Sequence, residues 1–111
     1  MANSESDMIM DRRLILLSPT DNVFVLGAAI DAGESIQFEG ASVGMRNPIP
    51  MGHKIARRAI RADEKIIKYG VSIGSATRAI AMGEHVHIQN IKSDYLPTFL
   101  REGKKSYVQQ H

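Results

Sequence analysis

The chain has 111 residues, a length that allows one small domain with a modest core and excludes two. Hydrophobic residues make up 43% and charged residues 23%, as in an ordinary globular protein, and the absence of cysteine excludes disulfides, thiolate metal sites and a cysteine nucleophile. A net charge of +2 and an aromatic content of 5% argue against nucleic-acid binding, which relies on basic charge and on stacking of bases.

The chain begins with a polar, acidic segment, "MANSESDMIMDRR", which contains no apolar stretch of signal-peptide length. No part of the sequence reaches the length of an apolar membrane-spanning helix. We therefore expect a cytoplasmic protein without a membrane partner, and we interpret residues 1–12 as a flexible N-terminal segment.

Short runs rich in Ile and Val follow, separated at close intervals by glycine and proline. This pattern predicts a compact all-β domain over residues 13–92. The prolines of "NPIPMG" (47–52) predict a loop, because proline breaks a central strand. We interpret residues 93–111 as a C-terminal tail, in which "SDYLPTFLREGKK" (93–105) is a helical candidate weakened by Pro97. Exposed strand edges in so small a domain also favour self-association into a homo-oligomer.

A recurring corner links several of these strands. Three segments read Ala-Ile, two residues, Gly or Asp, Glu, one residue, then Ile or Val: "AIDAGESI" (29–36), "AIRADEKI" (59–66) and "AIAMGEHV" (79–86). Gly33 and Gly83 can adopt positive φ without steric cost, and Asp63 is one of the few tolerated substitutes. The pattern predicts a strand end, a tight turn and a new strand at each corner; the uneven spacing argues against a solenoid.

Positive charge is concentrated in "HKIARRAIRADEKIIK", residues 53–68, which has six Lys or Arg against one Asp and one Glu. This segment is either a solvated basic face or a site for an anionic ligand. His53 and Lys54 directly follow a proline-glycine turn, a common position for functional side chains, although His53 could equally cap the turn. Lys68 could pair with a carboxylate or sulfonate, or its stem could simply cover apolar surface.

The segment "GEHVHIQN" (83–90) carries two of the four histidines. In an extended strand His85, His87 and Gln89 share one face, so the two imidazoles can converge on one cation. Two ligands do not complete a metal site, and a third would have to come from His53 or from another chain. Solvent-facing histidines on an edge strand are the alternative, which the spacing alone favours.

Read together, these loops resemble a known family. The run "IPMGHKIARRAIRADEKIIKYGVSIGSATRAIAMGEHVHIQNI" (49–91) is similar to the N-terminal domain of the altronate and galactarate dehydratase family, and the small subunit of sulfolactate sulfo-lyase looks like the same module. The resemblance extends from about Asp21 to Ile91. It implies a SAF-type domain with a compact β-clip fold.

The resemblance also implies an activity. The family reaction is β-elimination from a hydroxy acid: a proton leaves the carbon beside a carboxylate, and water or sulfite leaves the neighbouring carbon. We expect this chain to be a small subunit, inactive alone, that assists a separate large catalytic subunit acting on a sugar acid or a sulfonate. The residues that match the family motifs and are assigned roles by the resemblance are catalytic His53, His87 and Tyr69 and substrate-binding Lys54, Lys68, Thr77 and Asn90.

The family is also associated with a divalent metal, iron or manganese, which we expect the large subunit to hold in the main. Gln89 stands where the family often has a histidine, and a neutral glutamine is a poor metal ligand. We therefore interpret "GEHVHIQN" as one wall of a site completed by another subunit, in which His53, His85 or His87 could bind metal only with ligands from a partner chain. A non-catalytic SAF module that binds a sugar acid or a protein is the alternative function.

Overall fold

The structure, a computed structural model, describes residues 9–94. Within this range it contains strands, turns and bends but no helix, so the predicted all-β class is confirmed. Residues 1–8 of the predicted N-terminal segment and most of the predicted tail, including the helical candidate beyond residue 94, lie outside the described residues. None of the described residues forms a helix long and apolar enough to cross a membrane.

In the described part of the chain, nine short strands form three antiparallel sheets. A four-stranded sheet has the order β1-β2-β5-β8, a hairpin consists of β3 and β4, and a three-stranded sheet has the order β6-β7-β9. In chain order the strands are β1 (Leu14–Ile15), β2 (Val23–Leu26), β3 (Ser35–Phe38), β4 (Ala41–Gly44), β5 (Lys54–Ala56), β6 (Lys65–Lys68), β7 (Val71–Ala76), β8 (His85–Val86) and β9 (Ile91–Lys92).

The core consists of two apolar clusters that meet at strand β2. Phe24 and Leu26 belong to the first cluster, in which Phe24 packs edge-to-face on Phe38 at 5.0 Å between ring centroids. Val23 belongs to the second cluster with Ile60, Ile66, Ile80 and Val86. Each fully buried side chain of this kind contributes about 1.5–3 kcal/mol to folding. Strand β2 therefore joins the hairpin side of the domain to the side that carries the histidines.

The three predicted corners are confirmed, and they repeat one hydrogen-bond pattern. The third turn residues have positive φ, at 91° for Gly33, 69° for Asp63 and 83° for Gly83, as a type II turn requires. In each corner the glutamate carboxylate accepts a hydrogen bond from the first turn N–H, at 2.8 or 2.9 Å. The glutamate thus satisfies a donor that the turn would otherwise expose, which explains why Glu recurs at this position.

The second and third corners are related by an internal two-fold, with a shift of 20 residues. Ile60 and Ile80 exchange backbone hydrogen bonds across it, at 2.8 and 2.9 Å. The pairing of β5 with β8, which sets Ile55 opposite His85, is matched by the pairing of β7 with β6, which sets Ser75 opposite Lys65. The two halves therefore share these backbone pairs, although a β-bulge between Ile66 and Ile67 interrupts the β6–β7 half. Within residues 9–94 the histidines lie only in the half formed by β5 and β8.

Candidate functional site: a histidine cluster beside a lysine-lined cavity

Three histidines from two separate parts of the chain meet at one edge of the four-stranded sheet. His53 lies directly before β5, His85 begins β8, and His87 follows β8. The Nδ1 atom of His53 and the Nε2 atom of His85 are 2.9 Å apart, and the rings of His53 and His87 stack at 4.4 Å between centroids. One nitrogen from each of the three rings lies within 4.8 Å of the other two.

The backbone around His53 is held by strand β2. The His53 N–H donates to the carbonyl of Pro50 at 3.2 Å, and its carbonyl accepts from the N–H of Leu26 at 2.9 Å. Gly52 precedes it with a φ of 85°, a conformation that glycine adopts without strain. The proline-glycine turn therefore delivers His53 to the start of β5 in a fixed position.

The loop after β8 is held by a buried amide. Asn90 is fully buried, and its Oδ1 atom accepts from the N–H of His87 at 2.9 Å while its Nδ2 atom donates to the carbonyl of His85 at 2.8 Å. The carbonyl of Asn90 in turn accepts from the N–H of Thr77 at 2.9 Å. This amide closes the turn that places His87 against His53.

The imidazoles of His85 and His87 lie in an environment that favours their neutral form and lowers their pKa. Burial lowers the pKa of His85, and the neighbouring His53, His87 and Lys54 lower it further, while Glu84 opposes them. Burial also lowers the pKa of His87, with additional contributions from His53 and Lys54. A neutral imidazole can accept a proton or bind a metal, so both residues are prepared for either role at neutral pH.

A cavity of about 430 Å³ adjoins His87. Two ammonium groups, of Lys54 and Lys68, line it, and burial and the charge of Lys68 both lower the pKa of Lys54. Among the ion pairs of residues 9–94, none involves either lysine. The rest of the lining is Ile73, His87, Ile88, Ile91 and Ser93. Two cations close enough to repel each other indicate a site for an anion, whose binding would offset that repulsion.

A second cavity, of about 620 Å³, is lined by His85 and Gln89 together with Arg46 and Arg78. Arg78 donates to the carboxylate of Glu84 at 2.6 Å, so its charge is already paired. The histidine cluster therefore contributes to two cavities. Among the ion pairs of residues 9–94, none involves Arg46 in the larger cavity or the two lysines in the cavity beside His87.

Comparison with known proteins identifies the domain. A family described as the altronate/galactarate dehydratase SAF domain matches residues 12–94. The chain belongs to this family. The SAF domain is similar to the altronate dehydratase of Bacillus subtilis, at 36% identity over 83 residues, which are 75% of this chain and 17% of that protein. Altronate dehydratase of Escherichia coli is 35% identical over 80 residues, 72% of this chain and 16% of that protein.

The SAF domain is also similar to a shorter protein. The (2R)-sulfolactate sulfo-lyase subunit alpha of Chromohalobacter salexigens is 42% identical over 67 residues, which are 60% of this chain and 66% of that subunit. The chain therefore spans a small part of the two dehydratases and just under two thirds of the sulfo-lyase subunit.

The SAF domain brings four of the seven predicted site residues together: His53, His87, Lys54 and Lys68. The third imidazole, which the sequence led us to expect from His53 or from another chain, is that of His53. Metal binding, and ligands from a partner chain, stay predictions. The role of each residue stays a prediction.

The other three predicted residues line neither cavity. Tyr69 is 71% exposed and occupies the hairpin turn between β6 and β7, with a φ of 59°. Thr77 is exposed, and its N–H is bonded to Asn90. The Asn90 amide makes its bonds inside the loop. Their assigned roles in catalysis and substrate binding stay predictions, and the contacts in this structure are those of structural residues.

Sequence reasoning missed the apolar wall of the lysine cavity. Ile73, Ile88 and Ile91 line it, and Ile88 is 63% exposed. The sequence did offer a signal in "HIQNI" (87–91), where Ile88 stands between polar residues of a loop. An apolar side chain in such a loop, away from any core, can line a binding site.

Proposed function

We propose that this SAF domain acts as the small subunit of a two-chain lyase of the altronate/galactarate dehydratase type and binds the carboxylate of a hydroxy acid in the Lys54–Lys68 cavity. The observation that carries the proposal is the pair of lysines, which form no ion pair within residues 9–94 and line one cavity with His87. Lysine offers three donors and a compact charge, which suits a carboxylate or a sulfonate.

The chemistry follows from this arrangement. Eliminating water requires that a proton leave the carbon beside the carboxylate, which becomes easier as the developing negative charge is stabilised. The ammonium groups of Lys54 and Lys68 would stabilise that charge, and the neutral imidazole of His87, at the same cavity, would accept or return a proton. Ile73, Ile88 and Ile91 would limit the access of water from one side.

A large subunit would supply the remainder of the site. The support is the similarity to a sulfo-lyase subunit named alpha, of which this chain covers 66%. The family implies a divalent metal, which when bound would polarise the substrate carboxylate. The three imidazoles suit iron(II) better than manganese, which prefers oxygen ligands, because the nearby Glu84 carboxylate is already bonded to Arg78 and to the N–H of Ala81.

The similarity to the sulfo-lyase subunit favours a second candidate, elimination of sulfite from sulfolactate. Both candidates use the same carboxylate site and differ in the leaving group. An assay that measures the 2-oxo product and free sulfite, with altronate, galactarate and (2R)-sulfolactate as substrates, separates the two.

The test uses the full chain with a dehydratase-type or sulfo-lyase-type large subunit. We expect turnover to need both chains and Lys54→Met or Lys68→Met to raise KM strongly. The matched control is Lys92→Met, because Lys92 is exposed on β9 and paired with Asp63 at 2.9 Å. Equal kinetics for the Lys54, Lys68 and Lys92 variants would contradict the carboxylate site, and turnover without the SAF chain would contradict the subunit role.

A further inference from the structure

We propose that His53, His85 and His87 form a three-nitrogen site for a divalent transition-metal ion of the borderline class, such as Fe²⁺, Co²⁺ or Zn²⁺, held by this chain alone. The inference deepens the proposed function, which rests on the same site, by assigning a metal to these imidazoles. Its test is independent, because metal binding by the isolated chain needs neither a substrate nor a large subunit.

The distances between the nitrogens suit such an ion. Metal–nitrogen bonds of about 2.0–2.1 Å at tetrahedral angles place ligand nitrogens roughly 3.3 Å apart. The His53 Nδ1 to His85 Nε2 distance is 2.9 Å, and the farthest of the three nitrogens lie within 4.8 Å of one another. The rings are nearly parallel, with interplanar angles of 10° to 22°, so binding would turn them about χ2, which is a soft torsion.

The backbone positions of the three histidines are fixed by hydrogen bonds that do not involve the imidazoles. His53 is bonded to Leu26 and Pro50, His85 lies in the β5–β8 ladder opposite Ile55, and His87 is bonded to the buried Asn90. A site whose ligands are already held near their final positions loses little conformational entropy when the ion binds. The cluster is therefore organised before any ligand arrives.

The donor set selects the class of ion. Three imidazoles supply borderline nitrogen ligands, and among residues 9–94 no cysteine or carboxylate joins them in the cluster. Calcium and magnesium require oxygen ligands, so the cluster excludes them. Three protein ligands leave at least one coordination position open, as in catalytic rather than structural sites. The Lys54–Lys68 cavity beside His87 would deliver an anionic ligand to that position.

The experiment uses the full chain without an affinity tag, after a chelator has removed any bound metal. The chain is then titrated in a calorimeter with Zn²⁺ and, separately, with Co²⁺. We expect one ion per chain, with visible d–d absorption for Co²⁺. Removing a single ligand by His53→Ala, His85→Ala or His87→Ala should weaken binding by more than roughly 100-fold, since changes beside metal ligands alone cost 10–100-fold.

The chain supplies its own control in its fourth histidine. His111→Ala should bind the ion as the unchanged chain does. Should an alanine variant fail to fold, ring NMR signals of the unchanged protein serve instead, and Zn²⁺ should shift those of the three cluster histidines. Absence of stoichiometric binding, binding that survives the triple alanine substitution, or loss of binding in His111→Ala would each overturn the metal site. Hydroxy-acid binding that persists in any of these cases would leave the proposed function standing.

Discussion

His87 and Asn90 are joined by two hydrogen bonds. The N–H of His87 donates to Asn90 Oδ1 at 2.9 Å, and the N–H of Asn90 donates to the carbonyl of His87 at 3.0 Å. The Asn90 amide also donates to the carbonyl of His85. A single buried side chain thus sets the path of the loop that carries the second and third histidines of the cluster.

We expect Asn90→Ala to lower the free energy of unfolding by about 2–3 kcal/mol, because it leaves a buried N–H and a buried carbonyl without partners. Urea unfolding followed by circular dichroism measures this. The comparison variant is Gln89→Ala, since Gln89 is exposed and should change stability by less than about 0.5 kcal/mol. Similar values for the two variants would show that the Asn90 bonds do not stabilise the loop.

Asp21 should be among the polar residues whose loss destabilises the fold most. It is 2% exposed, and its carboxylate accepts hydrogen bonds from the N–H groups of Tyr69 and Gly70, both at 2.8 Å, and of Ser18 at 3.1 Å. We expect Asp21→Ala to cost about 3 kcal/mol or more, because three donors lose a charged acceptor. Asp31→Ala, at an exposed turn, is the control. A loss below 1 kcal/mol for Asp21→Ala in urea unfolding would refute this expectation.

Gly33 and Gly83 occupy equivalent positions in two corners, but their substitution by alanine should change the stability of the domain by different amounts. Both have positive φ, but an added Cβ would lie 2.5 Å from Val43 Cγ1 at Gly83 and would meet nothing within 4 Å at Gly33. Gly33→Ala should cost about 1–2 kcal/mol from backbone strain, and Gly83→Ala a further 1–3 kcal/mol from overpacking. Thermal unfolding of both variants tests the difference. Adding Val43→Ala should recover part of the loss at Gly83 and none at Gly33, and failure of this rescue would exclude the packing explanation.

Lys54 should lower the stability of the domain at neutral pH. Its pKa is lowered by burial and by Lys68, so the folded state holds the Lys54 proton less tightly than the unfolded state, whose pKa is near 10.5. The free energy of unfolding should therefore increase as the pH rises from the pKa of Lys54 in the folded state to its pKa in the unfolded state. Lys54→Met should be more stable than the unchanged protein at pH 7, by a margin that shrinks in alkaline solution.

Denaturant unfolding of Lys54→Met at several pH values measures this margin. Lys92→Met provides the reference, because Lys92 is exposed and paired with Asp63. A Lys54→Met variant that is less stable than the unchanged protein at pH 7, or a margin that does not depend on pH, would contradict the expectation.

The features that could be predicted from the sequence are those that depend on residues adjacent in the chain. The corners were predicted because a positive φ at Gly33, Asp63 and Gly83 is a local property. The meeting of His53 with His85 was predicted only as one of two alternatives, because these residues are 32 positions apart and only the pairing of β5 with β8 brings them together. Tyr69 directly follows Lys68, and the sequence therefore suggested that both belong to one site. In the hairpin turn the two side chains point in different directions, which adjacency in sequence does not reveal.

The internal two-fold repeats only part of the backbone frame that holds the three histidines. A shift of 20 residues relates the pair Ile55–His85 to Ser75–Lys65 and the pair Lys54–Val86 to Gly74–Ile66, but a β-bulge between Ile66 and Ile67 then shifts the register, so that Ile67 lies opposite Ser72. Histidines introduced at Ile73, Lys65 and Ile67 would therefore not meet as His53, His85 and His87 do. Only the half of the domain without the bulge can present an imidazole triad.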